Sequence, residues 1–115
     1  MESDRNISWN EFENVEMRVG TVISAEDFPE ARKPAFKLRI DFGEAIGVLR
    51  TSAQITQRYA KEELIGRQIV AVVNFPEKQI ANFISQCLIL GAMGEGGDVV
   101  LLHTDATVPN GLRIG

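Results

Sequence analysis

Lys37 and Arg39 stand two residues apart in a run where Phe36, Leu38, Ile40 and Phe42 alternate with Lys37, Arg39 and Asp41. In a strand, that spacing puts both cations on one face and the apolar set on the other. Arg32, Lys33 and Arg50 are candidates to join them. Such a patch suits phosphates or a carboxylate-rich partner, because charge-assisted hydrogen bonds to anions are the strong ones. Aromatic residues that could stack on bases are few, with Phe28, Phe75 and Phe83 the loop-side candidates.

Covalent chemistry has little to work with. The single histidine, His103, ends an apolar stretch beside Thr104 and Asp105. Ser85, His103 and Asp105 can be assembled on paper into a triad, but no strand–turn–helix elbow carries the serine. One His and one Cys far apart cannot close a zinc site, which wants four N/S ligands. Gly94-Glu95-Gly96-Gly97 lacks the Lys-Ser/Thr of a phosphate loop and falls between two strands, so it is expected to be a hairpin turn. Cys87, within an apolar strand, is expected in the core. The expectation is a binding module with no catalytic residue, no metal and no cofactor.

The charge distribution says where a partner would sit. Net charge is −4, but residues 31–78 carry nine basic and five acidic side chains, while residues 1–30 carry two and eight. Positive charge is gathered in the middle of an acidic chain, where a local patch can exist. At 115 residues with 44% hydrophobic residues, the chain suits one domain, spanning 1–115, with one core. The opening Met1-Glu2-Ser3-Asp4-Arg5-Asn6 lacks the order of a signal peptide, and no apolar run is long enough to span a bilayer. A lone cysteine suits a reducing compartment. A cytoplasmic protein with no membrane insertion is expected.

The elements that must hold these residues follow from period and punctuation. Ser8 and Glu11 make a capping box, and Trp9, Phe12 and Val15 form one helical stripe, predicting a helix over about 8–16. From Met17 to Ala25 the period is two, with Gly20 marking a bulge or bend. A proline-bounded loop, Phe28 to Pro34, leads to the Phe36–Phe42 strand, and Gly43-Glu44 turns the chain into a third strand at about Ile46–Thr51. Ile55, Tyr59 and Leu64 are spaced as in a helical connection that Gly66 would stop. Ile69–Val73, apolar on both faces, is a fourth strand. After a polar connection come a strand from Cys87 to Met93, the Gly94–Asp98 turn and its partner Val99–Leu102. Three strands, a helical connection, then more strands is the order of a five-stranded Greek-key barrel of the oligonucleotide/oligosaccharide-binding (OB) type, here about 17–102 in an all-β chain. A C-terminal extension, about 103–115, adds the turn Pro109-Asn110-Gly111 and a short apolar stretch. Trp9, Phe12, Leu112 and Ile114 then fall outside the barrel core, to fold back on it or to pack across a two-fold axis.

Four ordered blocks carry a family resemblance. They are Phe28 to Gly43, Ser52 to Thr56, Val70 to Pro76, and Gly97-Asp98-Val99-Val100-Leu101-Leu102 through Val108-Pro109-Asn110-Gly111. Together they closely resemble the CsaA proteins, within the wider tRNA-binding-domain family. The resemblance implies a homodimer of this OB fold, with Trp9, Phe12, Leu112 and Ile114 at the interface. It implies a chaperone-like protein that binds unfolded export precursors and the secretion ATPase in protein secretion. It also implies that Asn74, Lys78, Ser85 and Leu88 join Arg32, Lys33, Lys37, Arg39 and Arg50 at the ligand face. In the tRNA-binding relatives the segment after strand four reads roughly Asn-Leu-Lys-Pro-x-Lys-Met-x-Gly, then Ser-Glu-Gly-Met. Here Asn74 and Ser85 match, Gln79 replaces the second Lys, Asn82 the Gly, and Leu88 stands where the last Met would be. Asn82 is expected to keep the positive-φ turn. The lost cation and the acidic total favour peptide over tRNA, which leaves a tRNA- or RNA-binding accessory protein as the alternative.

Overall fold

In the computed structural model, which describes residues 5–115, Ser8 caps the first helix as its spacing from Glu11 requires. The Ser8 hydroxyl accepts from the Glu11 amide at 3.1 Å, and the Glu11 carboxylate accepts from the Ser8 amide at 2.7 Å. The helix, α1 (Trp9–Glu13), is shorter than expected. Asn74 accounts for the early stop. Its Nδ2 donates to the Asn14 carbonyl at 2.7 Å and its Oδ1 accepts from the Glu16 amide at 3.1 Å, so backbone groups a longer helix would use are tied to another part of the chain. Residues 1–4, which begin the polar opening read above, lie outside the described residues.

Strands follow in the order β1 (Met17–Asp27), β2 (Phe36–Asp41), β3 (Val48–Ala53), β4 (Gln68–Val72), β5 (Lys78–Ile80), β6 (Phe83–Ser85), β7 (Leu88–Ile89), β8 (Gly91–Met93), β9 (Val99–Leu101) and β10 (Arg113–Ile114). The long strand β1 organises them. It pairs antiparallel with β4 along Met17–Thr21, with β2 along Thr21–Asp27, and with β10 at Met17 and Arg18. The sheet order is β3-β2-β1-β4-β7. It closes toward a barrel where the Gln86 amide donates to the Arg50 carbonyl at 2.8 Å. This is the all-β, OB-type architecture expected from the strand order.

Two bends allow the closure. The irregularity expected at Gly20 lies instead between Val22 and Ser24, where the register of β1 against β2 shifts at Ile23. Gly20 has a different task. A Cβ there would come within 2.6 Å of Ile40 Cγ2 and 2.7 Å of Phe42 Cδ1, both fully buried, so a side chain would hold β1 off the core. That core takes the inward row of β2 (Phe36, Leu38, Ile40) and then Phe42, together with Val22, Ile69 and Leu101.

The connection between β3 and β4 is not the helix the spacing suggested. It holds one 3₁₀ turn, Lys61–Glu63, between plain turns. Ile55, Tyr59 and Leu64 are nonetheless all buried, and the Tyr59 hydroxyl accepts from the Leu101 amide at 3.0 Å. Their spacing reflects three anchors plugging a barrel end, which burial fixes without helical hydrogen bonds. The polar connection after β4 is a hairpin, β5 and β6, with Lys78 opposite Ser85. Its positive φ falls on Ala81 (53°), not on Asn82. The Cys87–Met93 strand divides, β7 staying on β4 while β8 leaves to pair with β9. Arg58 grips Asp98 at the start of that β9 side with two bonds of 2.8 Å. This fork holds the Asp98 carboxyl below its usual range, so the grip is lost only as the pH falls through that lowered value.

The C-terminal extension folds back on its own barrel. The Gln68 side chain donates to the Val108 carbonyl at 2.7 Å and accepts from its amide at 3.1 Å. Thr21 Oγ1 donates to Asn110 Oδ1 at 2.8 Å, and β10 then joins the edge of β1.

Candidate ligand-binding face

Register decides which side chains share the outer face of β1, β2 and β3. Ser24 stands opposite Arg39, and Arg39 opposite Arg50; one row over, Glu26 stands opposite Lys37, and Lys37 opposite Ser52. The alternation that put Lys37 and Arg39 on one face is thus extended by Arg50, directly across from Arg39. Two like charges in that position repel. None of the three ion pairs found among the described residues uses Lys37, Arg39 or Arg50. The Asp41 carboxylate, nearby on β2, accepts from the Gly43 amide at 2.8 Å.

The hairpin β5–β6 borders this face. Phe83 packs edge-on against the buried Phe28, with ring centroids 5.5 Å apart at 62°. The Lys37 ammonium lies 5.5 Å from the Phe28 centroid and 6.0 Å from that of Phe83, and the Arg50 guanidinium carbon lies 5.9 Å from Phe83. Arg50 is held further by its Nε, which donates to the Ile84 carbonyl at 3.0 Å. Of the loop-side aromatics, Phe28 is therefore enclosed, Phe83 is half-buried with two cations about its ring, and Phe75 is 54% exposed.

The remaining sequence candidates are placed unevenly. Arg32 and Lys33 are exposed on the β1–β2 loop, and Lys78 is exposed on β5. Leu88 is 48% exposed at the start of β7. Asn74 spends its amide on Asn14 and Glu16, as described. Ser85 is buried, and its hydroxyl lies 3.1 Å from Thr51 Oγ1, which itself donates to the Cys87 carbonyl at 2.7 Å. The Ser85 hydroxyl thus ties the hairpin to β3 from the inside. Thr51, the buried polar partner in this link, escaped the sequence reading because its depth depends on barrel closure. Phe83 was visible only as a loop aromatic, since the hairpin around it carried no Asn-Gly signal.

Among the described residues, Ser85, His103 and Cys87 do not assemble a nucleophilic site. Ser85 is bonded as above, and the His103 Nδ1 is engaged with the Thr104 carbonyl at 2.8 Å. Burial pushes the Cys87 thiol up to about 12, against a smaller opposing effect from its hydrogen bond with Thr51. It is an inert thiol at neutral pH, because the thiolate is the reactive form. Among the described residues no three His, Cys, Asp or Glu side chains are grouped to hold a metal ion. What the arrangement can do is hold anions on an open sheet face.

Comparison with known proteins agrees with this fold. A family described as "Putative tRNA binding domain" matches residues 17–113. The chaperone CsaA of Bacillus anthracis str. Ames is 52% identical, with a TM-score of 0.91, over 96% of this chain and 99% of that one. The CsaA chaperone protein of Picrophilus torridus is also 52% identical, with a TM-score of 0.89, over 96% of this chain and 100% of that one. A methionine–tRNA ligase of Chlorobium chlorochromatii (strain CaD3) is 33% identical over 108 residues, 94% of this chain. The chain spans about 15% of the length of that curated relative.

Proposed function

The chain belongs to the tRNA-binding-domain family and is CsaA-like within it, and from that premise we propose a non-enzymatic, chaperone-like protein that binds extended polypeptide. The observation that carries this reading is the set Lys37, Arg39 and Arg50, three cations on one sheet face outside every ion pair found among the described residues. Carboxylates of an unfolded chain can pair with them, while exposed Leu88 and Phe75 offer apolar contact. Arg32, Lys33 and Lys78 extend the charge along the loop and hairpin, the elements that flank the ligand face in OB barrels. The clients are unfolded preproteins in the cytoplasm and a further partner is the secretion ATPase, the role the resemblance implies. Among the described residues no helix is long and apolar enough to cross a membrane.

A second reading, tRNA binding, is favoured by the Arg39–Arg50 pair, since adjacent guanidinium groups suit phosphate oxygens. Salt separates the two. In anisotropy titrations, a reduced and alkylated unfolded polypeptide is expected to bind with a salt dependence shallower than that of tRNA, because isolated carboxylates hold no condensed counterions to release, and bulk tRNA more weakly. Three phosphate contacts would give tRNA a log–log slope of about −2 to −3. Binding of tRNA with that slope, with none of the polypeptide, would make the second reading the right one.

We further propose that the protein is a homodimer through its end segments. Trp9 is 85% exposed, Leu112 49% and Phe12 38%, while Ile114 is half-buried in β10. Arg113 Nη2 donates to the Glu13 carbonyl at 2.7 Å, which brings β10 beside the end of α1. Each large apolar side chain covered by a partner gains about 1.5–3 kcal/mol. Sedimentation at micromolar concentration is expected to give a dimer for the natural sequence and a folded monomer for Trp9→Glu combined with Leu112→Glu. A natural-sequence monomer, or a doubly substituted dimer, would refute the interface.

A further inference from the structure

We infer that Phe83 is a positioning residue, whose ring gathers Lys37 and Arg50 into one anion-binding unit with Arg39. The inference rests on the binding reading above and assigns the ring a role other than contact with ligand. Two cations lie within about 6 Å of this one ring, Lys37 at 6.0 Å and Arg50 at 5.9 Å. An aromatic face carries negative potential, so it draws both charges in and offsets their mutual repulsion. Phe28, buried and edge-on at 5.5 Å, fixes the orientation of the ring. Arg50 is also bonded through Nε to the carbonyl of Ile84, the residue next to Phe83, so the hairpin holds its guanidinium at two points. Lys37 lies close to both rings, although Glu26 stands opposite it in the register. Long cationic side chains otherwise sample many rotamers, and ordering them before the ligand arrives removes that cost from binding. Any base or aromatic side chain stacking on this half-buried ring would compete with the two cations for it. The hairpin's contribution to the site is thus to aim cations.

Phe83→Leu keeps an apolar side chain and removes the ring, while Phe83→Tyr keeps the ring. The Arg50 δ-methylene protons and Nε–H, followed by NMR without ligand, are expected to move toward free-arginine positions in the Leu variant and to stay in the Tyr variant. Bulk tRNA and a reduced, alkylated polypeptide are then titrated against all three proteins, with thermal unfolding to confirm folded samples. Two exposed cation–ring contacts at their usual strength predict binding about five- to thirtyfold weaker for Phe83→Leu. Phe83→Tyr should restore it, and the tRNA salt slope should match the natural sequence because every cation remains. Unchanged Arg50 signals, unchanged affinity in the Leu variant, or a slope lower by about one would each overturn the role. If the natural sequence binds neither probe, the binding reading fails, and the Arg50 signals still decide whether the ring holds the arginine.

Discussion

Gly111→Ala is expected to lower the stability of the fold by about 2–5 kcal/mol, seen as an early urea midpoint with unchanged slope. Gly111 has a φ of +91°, and a Cβ there would lie 2.5 Å from the Phe42 carbonyl oxygen. Across the contact, Gly43 has a φ of +87°, and its Cβ would lie 2.7 Å from the Asn110 carbonyl oxygen. Two stretches of bare backbone, 42–43 and 110–111, therefore meet with no room for a side chain. Neither can yield easily. The Phe42 amide is bonded to the Gly47 carbonyl at 3.0 Å, and the Gly111 amide to the Val19 carbonyl at 2.7 Å. A left-handed φ costs an L-residue roughly 1–2 kcal/mol, and overpacking typically adds about 1–3. Gly47→Ala supplies the control, since Gly47 has a φ of +85° but a Cβ added there would meet nothing within 4 Å. It should show the backbone cost alone. Equal losses in the two variants would mean that the close approach of tail and barrel does not exist in solution.

Arg39→Glu should weaken binding of bulk tRNA roughly tenfold to a hundredfold at low ionic strength, about 1.4–2.7 kcal/mol, while leaving the fold at least as stable as before. The two halves of this result have one cause. Arg39 faces Arg50 directly across β2 and β3. A glutamate at 39 would replace a like-charge pair by an opposite-charge pair, a change that favours the sheet by about 0.2–1 kcal/mol. The ligand face meanwhile loses one cation and gains an anion. A residue kept for stability would behave in the opposite way. If Arg39→Glu lowered the thermal midpoint by many degrees, or left tRNA affinity unchanged, the pair would have to be counted as structural.

The parts of this molecule legible in its sequence are those with a local cause. Ser8 and Glu11 are three residues apart and cap α1 whatever surrounds them. The strict alternation of Phe36 to Asp41 put Lys37 and Arg39 on one face without reference to any neighbour. The pairing of Arg39 with Arg50 was out of reach, because β3 begins at Val48, two residues later than the pattern suggested. That start is set by the Gly43–Gly47 turn, closed by a bond between those residues. The β5–β6 hairpin was hidden for a related reason, since Ala81-Asn82 is not a usual turn pair and Ala81 takes its positive φ against local preference. Ser85 and Thr51 were unreadable for depth, as both are buried where β3 meets the segment after β6, a contact between residues over thirty positions apart. Within the proposed face, the cations were visible from the sequence, and Phe83 only as a loop aromatic, its contact with two of them hidden until the hairpin was placed.

The docking of β10 on β1 also sets a clock for synthesis. Arg113 bonds to the carbonyl of Glu13, 100 positions earlier in the chain. At about 5–20 residues per second, the ribosome takes on the order of 5–20 s to travel between them. During that interval the first residues of β1 have emerged while the strand that covers their edge does not yet exist. An unpaired strand edge invites pairing with other chains, and contacts so distant in sequence are slow to close. This nascent chain therefore passes through a stage with an open edge, the kind of unfinished surface that its own binding face is proposed to meet in other proteins.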